Sequence, residues 1–290
     1  METSTSTFVT PDGTVLHLRR WAPDGDPVGS VQIAHGMGEH SARYARLAEA
    51  LVGAGWLVVA PDQRGHGPTA PENHLELGDL GPAGWNGLVD DLAALNDALA
   101  AESSARPRVL LGHSMGSFAA QQFVLDHSAD IAGLVLSGTT AVDVAATVID
   151  PEAGTDLTAM NAAFEPARTE FDWLSRDEAE VDRYVADPLC GFGLDPASTR
   201  TLVEAAPRLA DPAALAAIRS DLPVYLVAGS ADPLNLELAM VDLVVQRYRD
   251  AGVVDLVTDY HQGARHEVFN ETNRDEVTAH LVAWLERFSA

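Results

Sequence analysis

The sequence predicts an α/β protein with a mostly parallel central sheet flanked by helices. Three observations carry this prediction. Short runs of β-branched and leucine residues recur along the chain, segments with helical periodicity separate them, and several of the short runs are continuously apolar. Continuously apolar strands are typical of a parallel sheet that is covered on both faces. The alternation of the two element types indicates a doubly wound arrangement.

The elements follow one another in a regular order. The predicted strands cover residues 15–21, 31–34, 57–60, 109–111, 134–136, 224–228 and 253–258. The predicted helices cover residues 41–54, 88–101, 117–127, 236–251 and 275–288. At the start of the chain, a turn at Pro11-Asp12-Gly13 separates two strands, which we expect to pair as an antiparallel hairpin that leads into the sheet.

This alternation stops between about residues 139 and 220. The stretch has no convincing buried strand, and its short helical patches are separated by Pro151, Pro166, Pro188, Pro196, Pro207 and Pro212. An insertion that follows the carboxyl end of a strand lies over the sheet edge at which ligands bind. We therefore predict a core formed by residues 1–138 and 221–290, with residues 139–220 inserted as a helical cap.

Composition restricts the partners and the location. Lys and Arg total 18 against 43 Asp and Glu, which gives a formal net charge of -25. Such a surface repels nucleic acid and anionic membranes, because both attract basic patches. The first residues lack the basic and apolar regions of a secretory signal, and no apolar run reaches the ~18 to 20 residues of a membrane helix. We expect a cytoplasmic protein with no nucleic-acid partner and no stable membrane insertion.

Cysteine usage gives no sign of a disulfide or a metal site. The single cysteine, Cys190, cannot form an intrachain disulfide, and it lacks the spacing to other Cys or His residues that metal sites show. A structural thiol is the preferred interpretation. The sequence therefore predicts neither a metal nor a cofactor.

The segment GHSMG at 112–116 marks a candidate nucleophile. It follows a predicted strand and precedes a predicted helix, which is the context that gives G-x-S-x-G its meaning. A sharp turn of this kind strains its central residue and requires very small residues two positions before and after, which Gly112 and Gly116 satisfy. The alternative is a glycine-rich turn with an incidental serine or a bound phosphate, but neither nucleotide-binding glycine motif is present. We predict that Ser114 is a nucleophile.

Two backbone N–H groups are expected to stabilise the negative oxygen of a tetrahedral intermediate. One belongs to the residue after the nucleophile, Met115, and the other is expected on a His-Gly loop after an earlier strand. The segment HGMG at 35–38 supplies that loop, and the Met37 N–H is the best candidate. His35 could be mistaken for a catalytic base, but a residue packed against the loop is the preferred interpretation.

The acid and the base should follow the nucleophile, each on a loop beyond a strand. Asp232 follows the strand at 224–228, with the alternative that it only forms an Asp-Pro turn. Two histidines follow the last strand. We prefer His266, after a Gly-Ala-Arg stretch and before the final helix, over His261, which adjoins the strand. Neutral His266 would take the serine proton, and Asp232 would hold its tautomer.

With these motifs, the chain resembles the monoacylglycerol lipase and lysophospholipase branch of the α/β-hydrolases, which is grouped with serine aminopeptidases. The resemblance spans nearly the whole chain and rests on HGMGEHS at 35–41 with RY at 43–44, DQRGHG at 62–67, GHSMG, VDRYVADPL at 181–189, GSADP at 229–233 and HE at 266–267. Family members often have serine two residues after Gly-His-Gly, whereas this chain has Pro68-Thr69. We assign Asp62 and Arg64 of the second motif to the scaffold.

The resemblance implies an α/β-hydrolase fold with a cap that forms an apolar acyl tunnel. It implies that Ser114, Asp232 and His266 are catalytic and that Met37 and Met115 form the oxyanion hole. The implied substrate is a small-molecule acyl ester or monoacyl lipid. We expect substrate contacts at Gly36, His113, Phe164 and Trp173. The apolar cap residues that suit a fatty chain are Val142, Val148, Ile149, Leu157, Met160, Phe164, Phe171, Trp173 and Leu174, of which about half are expected to pack the cap on the core.

The leading hypothesis is therefore a serine carboxylic-ester hydrolase. A second hypothesis is a peptidase that releases N-terminal residues, often proline, for which Glu165, Glu170 and Asp172 could recognise the substrate amine. A third is a ligand receptor without enzymatic activity. Dehalogenase and epoxide-hydrolase chemistry is disfavoured, because those relatives have a carboxylate in place of Ser114.

Overall fold

A computed structural model describes residues 1–103 and 106–288 of the chain. An eight-stranded sheet with strand order β1-β2-β4-β3-β5-β6-β7-β8 forms its centre. The strands from β3 to β8 pair in parallel, and β1 and β2 add antiparallel at one edge, so the predicted parallel sheet and its leading hairpin are confirmed. The strands are β1 (Glu2–Val9), β2 (Val15–Ala22), β3 (Gly29–Ala34), β4 (Trp56–Pro61), β5 (Arg108–His113), β6 (Gly133–Ser137), β7 (Val224–Gly229) and β8 (Leu256–His261).

Helices cover both faces of the sheet. On one face, α3, α4 and α9 bury apolar side chains against the strands, and on the other face α1 and α10 do so. This three-layer packing explains why β3, β4, β6 and β7 are buried along their whole length and why β5 is buried at every residue after Arg108. The helices are α1 (Ala45–Gly53), α2 (Thr69–Glu72), α3 (Gly84–Glu102), α4 (Met115–His127), α5 (Val142–Ala146), α6 (Glu178–Ala186), α7 (Pro196–Ala205), α8 (Pro212–Leu215), α9 (Ala239–Asp250) and α10 (Arg274–Leu285).

Among the predicted boundaries that are wrong, the starts of α9 and β8 each lie three residues later than expected. The helix expected from residue 236 begins at Ala239, because residues 236–238 all have positive φ angles between 49° and 74°. The strand expected from residue 253 begins at Leu256, because the Val253 N–H donates a hydrogen bond to Tyr248 O (3.0 Å) at the end of α9. Val253 is apolar because it is buried in the core, not because it belongs to a strand.

The segment between β6 and β7 consists of helices and loops. Residues 139–220, all of which the structure describes, contain α5 to α8 and several 3-10 turns and no strand. The segment leaves the sheet at the carboxyl end of β6 and contacts the loop after β3, where the Gly191 N–H donates to Gly38 O (3.0 Å). It therefore lies above the sheet edge at which the β5 and β3 loops emerge.

Within the described part of the chain, no helix combines the length and the apolar character needed to cross a membrane.

Candidate active site

Ser114 occupies the sharp turn between β5 and α4. Its backbone angles are φ 50° and ψ -121°, a conformation that non-glycine residues rarely adopt. The positions two residues before and two residues after Ser114 have no room for a side chain. A Cβ atom on Gly112 would lie 2.4 Å from Gly116 O, and one on Gly116 would lie 2.1 Å from Ala34 O. The two glycines therefore permit the turn that holds the serine above the sheet edge.

The loop after β3 passes directly beside this serine. A Cβ atom on Gly36 would lie 3.2 Å from the Cβ atom of Ser114. Among the described residues, neither the Met37 N–H nor the Met115 N–H donates a hydrogen bond to protein. Met115 is the first residue of α4, so its N–H belongs to the unsatisfied, positive end of the helix. Both residues line the same cavity as Ser114, so their N–H groups are candidate donors beside the serine.

Asp232 and His266 form a buried hydrogen-bonded pair. His266 Nδ1 donates to Asp232 Oδ2 (2.9 Å), and the Leu234 N–H donates to the other carboxylate oxygen (2.9 Å), which fixes the carboxylate. Both side chains are at most 2% exposed. Burial alone would lower the pKa of His266, but the charge of Asp232 and its hydrogen bond outweigh burial and raise that pKa above its ordinary value of 6.5.

The imidazole of His266 adjoins the residue before Ser114. Its ring centroid lies 4.8 Å from that of His113, and a Cβ atom on Gly138 would lie 2.9 Å from both rings. Within residues 1–103 and 106–288, no hydrogen bond joins Ser114 Oγ to His266. Ser114, Asp232 and His266 follow β5, β7 and β8, so the fold brings three separate loops to one sheet edge. Their catalytic roles stay a prediction.

The two competing histidines lie elsewhere. His261 ends β8 and lies 3.1 Å from Asp259, not beside Asp232. His35 is completely buried beneath the loop that follows β3, and its imidazole hydrogen-bonds to backbone groups of Gly36 and Gln63. Burial lowers the pKa of His35 below its ordinary value. Of the histidines considered from the sequence, His266 is the one that meets the predicted acid.

An apolar cavity of about 270 Å³ opens at Ser114. Met37 and Met115 line it beside the serine, and Trp173 both lines it and contacts His266 at a centroid distance of 4.8 Å. The remaining lining residues come mostly from the segment after β6: Val142, Ala145, Val148, Ile149, Asp150, Ala153, Gly154, Thr155, Asp156, Leu157, Ala159, Met160 and Leu202, joined by Phe118 and Leu234. A cavity of this kind suits an unbranched apolar chain.

Of the four residues predicted to contact the substrate, two lie at the cavity or beside Ser114 and two do not. Trp173 lines the cavity, and Gly36 lies beside Ser114. Phe164 is not among the lining residues, because it stacks under Arg265 (4.3 Å). His113 is buried behind the serine, where it lies 3.1 Å from Ser137 Oγ, and burial together with the nearby His266 lowers its pKa to about 4. The substrate contacts of these residues stay a prediction.

Some of the apolar residues predicted to suit a fatty chain line the cavity, and others do not. Val142, Val148, Ile149, Leu157, Met160 and Trp173 line the cavity. Phe171 and Leu174 do not line it, and they form a buried cluster with Trp173, Val181 and Tyr184, against which Phe164 packs.

A buried ionic network, which was not predicted from the sequence, lies beneath the site. Arg43 pairs with Glu39 (2.7 Å) and with Glu267 (2.5 and 2.7 Å), and Tyr44 OH donates to Glu39 (2.7 Å). Burial would raise the pKa of Glu39, but Arg43 and the surrounding donors hold it at about 2. The four-residue spacing of Glu39 and Arg43 was the available signal, since such residues share one face of a helical turn.

The DQRGHG motif acts as scaffold, as predicted. Asp62 accepts hydrogen bonds from the Ser41 N–H (2.7 Å) and from His17 (2.8 Å), which ties the loop after β3 to β2. Arg64 makes a two-pronged buried pair with Asp91 (2.6 and 2.7 Å). Burial raises the pKa of Asp91 to about 6 despite this pairing.

In the part of the chain that the structure describes, two side-chain clusters have the composition of metal ligands. One joins Asp259, His261 and His280, and its ligand atoms lie within 4.8 Å of one another. The Asp259 carboxylate already has hydrogen-bond partners. His280 Nδ1 lies 3.0 Å from Asp259 Oδ2, and Tyr225 OH donates to the same oxygen (2.5 Å). The other cluster joins His40, Asp187 and Cys190, whose thiol has a raised pKa because it is buried. Neither cluster adjoins Ser114.

Comparison with known proteins identifies the family. The chain matches the family described as serine aminopeptidase, S33, over residues 25–273. It is 32% identical over 268 residues to the monoacylglycerol lipase of Mycolicibacterium smegmatis, covering 91% of this chain and 90% of that protein. It is 33% identical over 238 residues to the monoglyceride lipase of Homo sapiens, and the match covers 78% of this chain and 73% of that protein. A highly thermostable carboxyl esterase from Bacillus coagulans, solved in complex with glycerol, has a TM-score of 0.89 and 26% identity, with 100% of both chains covered.

The fold and these likenesses define the chain as an α/β-hydrolase, and the predicted resemblance is confirmed. The chain belongs to the serine aminopeptidase S33 family. Its enzyme class is that of the lipase-like serine ester hydrolases, as predicted, rather than that of a receptor without activity.

Proposed function

We propose that the chain hydrolyses monoacyl lipids or similar small acyl esters, with Ser114 as nucleophile, His266 as base and Asp232 as the group that orients the base. One observation carries the proposal. The strained turn presents Ser114 to an apolar cavity, and Trp173 in the wall of that cavity contacts the imidazole that Asp232 holds. A reactive hydroxyl beside space for an apolar chain is what an ester with one fatty acyl group requires.

The proposed reaction runs through an acyl-enzyme. His266 takes the proton of Ser114 as the serine oxygen bonds to the ester carbonyl carbon. The carbonyl oxygen becomes negative and accepts hydrogen bonds from the Met37 and Met115 N–H groups. Collapse of this intermediate breaks the bond to the alcohol oxygen, which receives the proton from His266. Water then attacks the acyl-enzyme by the same route and releases the carboxylic acid.

We further propose that residues 139–220 form a cap that selects the acyl chain. This segment supplies most of the residues that line the cavity, whereas Ser114, Asp232 and His266 follow strands of the sheet. The wall is predominantly apolar, so it favours a hydrocarbon chain over a charged group. The relatives that are named for monoacylglycerols support the same substrate class.

An acyl-chain series tests this proposal. Monoacylglycerols and p-nitrophenyl esters of increasing chain length should be hydrolysed, and Ala145→Trp, which fills part of the cavity, should shift the preference to shorter chains. The exposed Ala216 does not line the cavity, so Ala216→Trp is the matched control and should leave the preference unchanged. A folded wild-type protein that hydrolyses none of these esters would refute the proposal. The same chain-length preference in the wild type, Ala145→Trp and Ala216→Trp would also refute it.

The peptidase hypothesis receives less support. Recognition of a substrate amine needs an available acidic group near the serine. Glu165, Glu170 and Asp172, the acidic residues considered for this role, do not line the cavity, and Asp172 already accepts hydrogen bonds from the Arg168 N–H and Thr169 Oγ (both 2.6 Å). Asp150 and Asp156 do line the cavity, and each already accepts a hydrogen bond from a nearby backbone N–H, that of Glu152 (3.0 Å) and that of Thr158 (2.9 Å). Faster cleavage of a proline naphthylamide than of a monoacylglycerol would favour the peptidase instead.

A further inference from the structure

His35 is locked into one tautomer by two backbone groups. The Gln63 N–H lies 2.9 Å from His35 Nε2, and His35 Nδ1 lies 2.8 Å from Gly36 O. Because a backbone N–H can only donate, Nε2 must be the acceptor. The ring proton is therefore on Nδ1, which donates to the Gly36 carbonyl.

That carbonyl belongs to the same peptide group as the Met37 N–H. In a trans peptide the C=O and the N–H point in opposite directions, and the group is planar. Once His35 holds the oxygen on the buried side, the N–H of Met37 must point to the other side. Ser114 lies close by, since Met37 and Ser114 line the same cavity and a Cβ atom on Gly36 would lie 3.2 Å from Ser114 Cβ.

We infer that His35 is a positioning residue of the oxyanion hole, and that it aims the Met37 N–H by holding the Gly36–Met37 peptide through its carbonyl. The inference rests on the proposed function, because it assumes that a negative oxygen develops beside Ser114. His35 itself touches neither the substrate nor the reacting atoms. It acts through the backbone.

The neighbouring groups hold the same stretch of backbone. Glu39 accepts a hydrogen bond from the Gly36 N–H (2.6 Å), which fixes the preceding peptide, and Gln63 Nε2 donates to His35 O (2.6 Å). Burial lowers the pKa of His35, so the ring stays neutral and Nε2 remains able to accept. An oxyanion donor stabilises the transition state best when it needs no reorganisation during the reaction, which is what these contacts provide.

Two substitutions of His35 test whether the Nδ1–H donor or the bulk of the ring is what matters. His35→Asn keeps an N–H donor at the position of Nδ1, whereas His35→Phe keeps a ring and loses the donor. We expect His35→Phe to lower kcat by on the order of 10- to 100-fold with little change in KM, which is less than the loss of a whole oxyanion donor. His35→Asn should recover a large part of this loss.

His66 supplies a matched control. It is also completely buried, its ring contacts that of His35 at 5.2 Å, and its Nδ1 also lies within hydrogen-bond distance (2.7 Å) of a backbone carbonyl, that of Arg64. It makes no contact with the Gly36–Met37 peptide through a hydrogen bond. His66→Phe should therefore lower the thermal midpoint as His35→Phe does and leave kcat close to that of the wild type.

A boronic acid that forms a tetrahedral adduct with Ser114 gives a second readout. Its inhibition constant should rise in His35→Phe by the same factor by which kcat/KM falls, because both depend on the oxyanion donors. If His35→Phe does not fold, His35→Gln, which lacks a donor at the Nδ1 position, takes its place. Unchanged kcat in these variants, or an equal loss of kcat in His66→Phe, would overturn the inference. Activity that survives Ser114→Ala would instead overturn the proposed function, so the two failures are distinguishable.

Discussion

Arg43 forms a two-pronged ion pair with Glu267, the residue that follows His266 in the chain. The same guanidinium pairs with Glu39, whose carboxylate accepts a hydrogen bond from the Gly36 N–H. The loop that carries Met37, the proposed oxyanion donor, and the loop that carries His266, the proposed base, are therefore joined through one arginine. Both acidic partners are almost completely buried, so these charges depend on one another.

We predict that Arg43→Met destabilises the protein strongly. The substitution leaves Glu39 and Glu267 buried without a counter-charge, and breaking a buried pair in this way costs about 3–5 kcal/mol. The free energy of unfolding in denaturant measures this cost. Arg208→Met is the matched control, because Arg208 makes an equally two-pronged pair with Asp126 at an exposed position. That change should cost no more than about 1 kcal/mol, and similar costs for the two variants would contradict the account.

The pH dependence of the reaction should report the charge state of His266. The imidazole must be neutral to accept the serine proton, and Asp232 favours the charged form enough to raise the pKa of His266 above 6.5. In the wild type, kcat/KM should therefore fall as the pH drops below this raised pKa. In Asp232→Asn the midpoint should move to lower pH, and the maximal rate should fall by on the order of 10⁴-fold.

A carboxylate beside a different histidine serves as the control for this pH profile. Asp259 lies 3.1 Å from His261 and does not contact His266. The pH profile of Asp259→Asn should therefore match that of the wild type. A midpoint that moves in Asp259→Asn and stays in place in Asp232→Asn would show that another group titrates.

The turn at Ser114 should not tolerate a single added methyl group. In Gly116→Ala the new Cβ atom would collide with Ala34 O at 2.1 Å, and because that oxygen belongs to the backbone, α4 and β3 must separate. We predict loss of activity and a lower thermal midpoint. In Gly53→Ala, at the end of α1, the Cβ atom meets nothing within 4 Å, and the change should be neutral or stabilise the protein by up to about 1 kcal/mol. Equal behaviour of the two variants would argue against the tight turn.

Features that depend on local sequence were predictable. The buried strands are continuously apolar, and the glycines around Ser114 are required by the turn itself, so both can be read from neighbouring residues. The order of Asp232 and His266 after the serine follows from the strands that precede them. The cytoplasmic location and the absence of a nucleic-acid partner stay predictions.

Features that depend on distant contacts were not predictable. Arg43 and Glu267 are 224 positions apart, and no periodicity relates them. The start of α9 was misplaced because Leu236 and Leu238 continue the apolar pattern of the helix while their backbone is left-handed. Likewise, the part that His35 plays depends on the Gln63 N–H, which reaches it from the loop after β4.

Covalent labelling tests the central claim most directly. The intact protein is treated with a fluorophosphonate, digested, and mapped by mass spectrometry, with Ser114→Ala treated in parallel. The account predicts one adduct, on Ser114, that appears together with loss of ester hydrolysis, and no adduct in Ser114→Ala. A folded wild-type protein that hydrolyses esters yet carries no label on Ser114, or a Ser114→Ala variant that remains active, would contradict it.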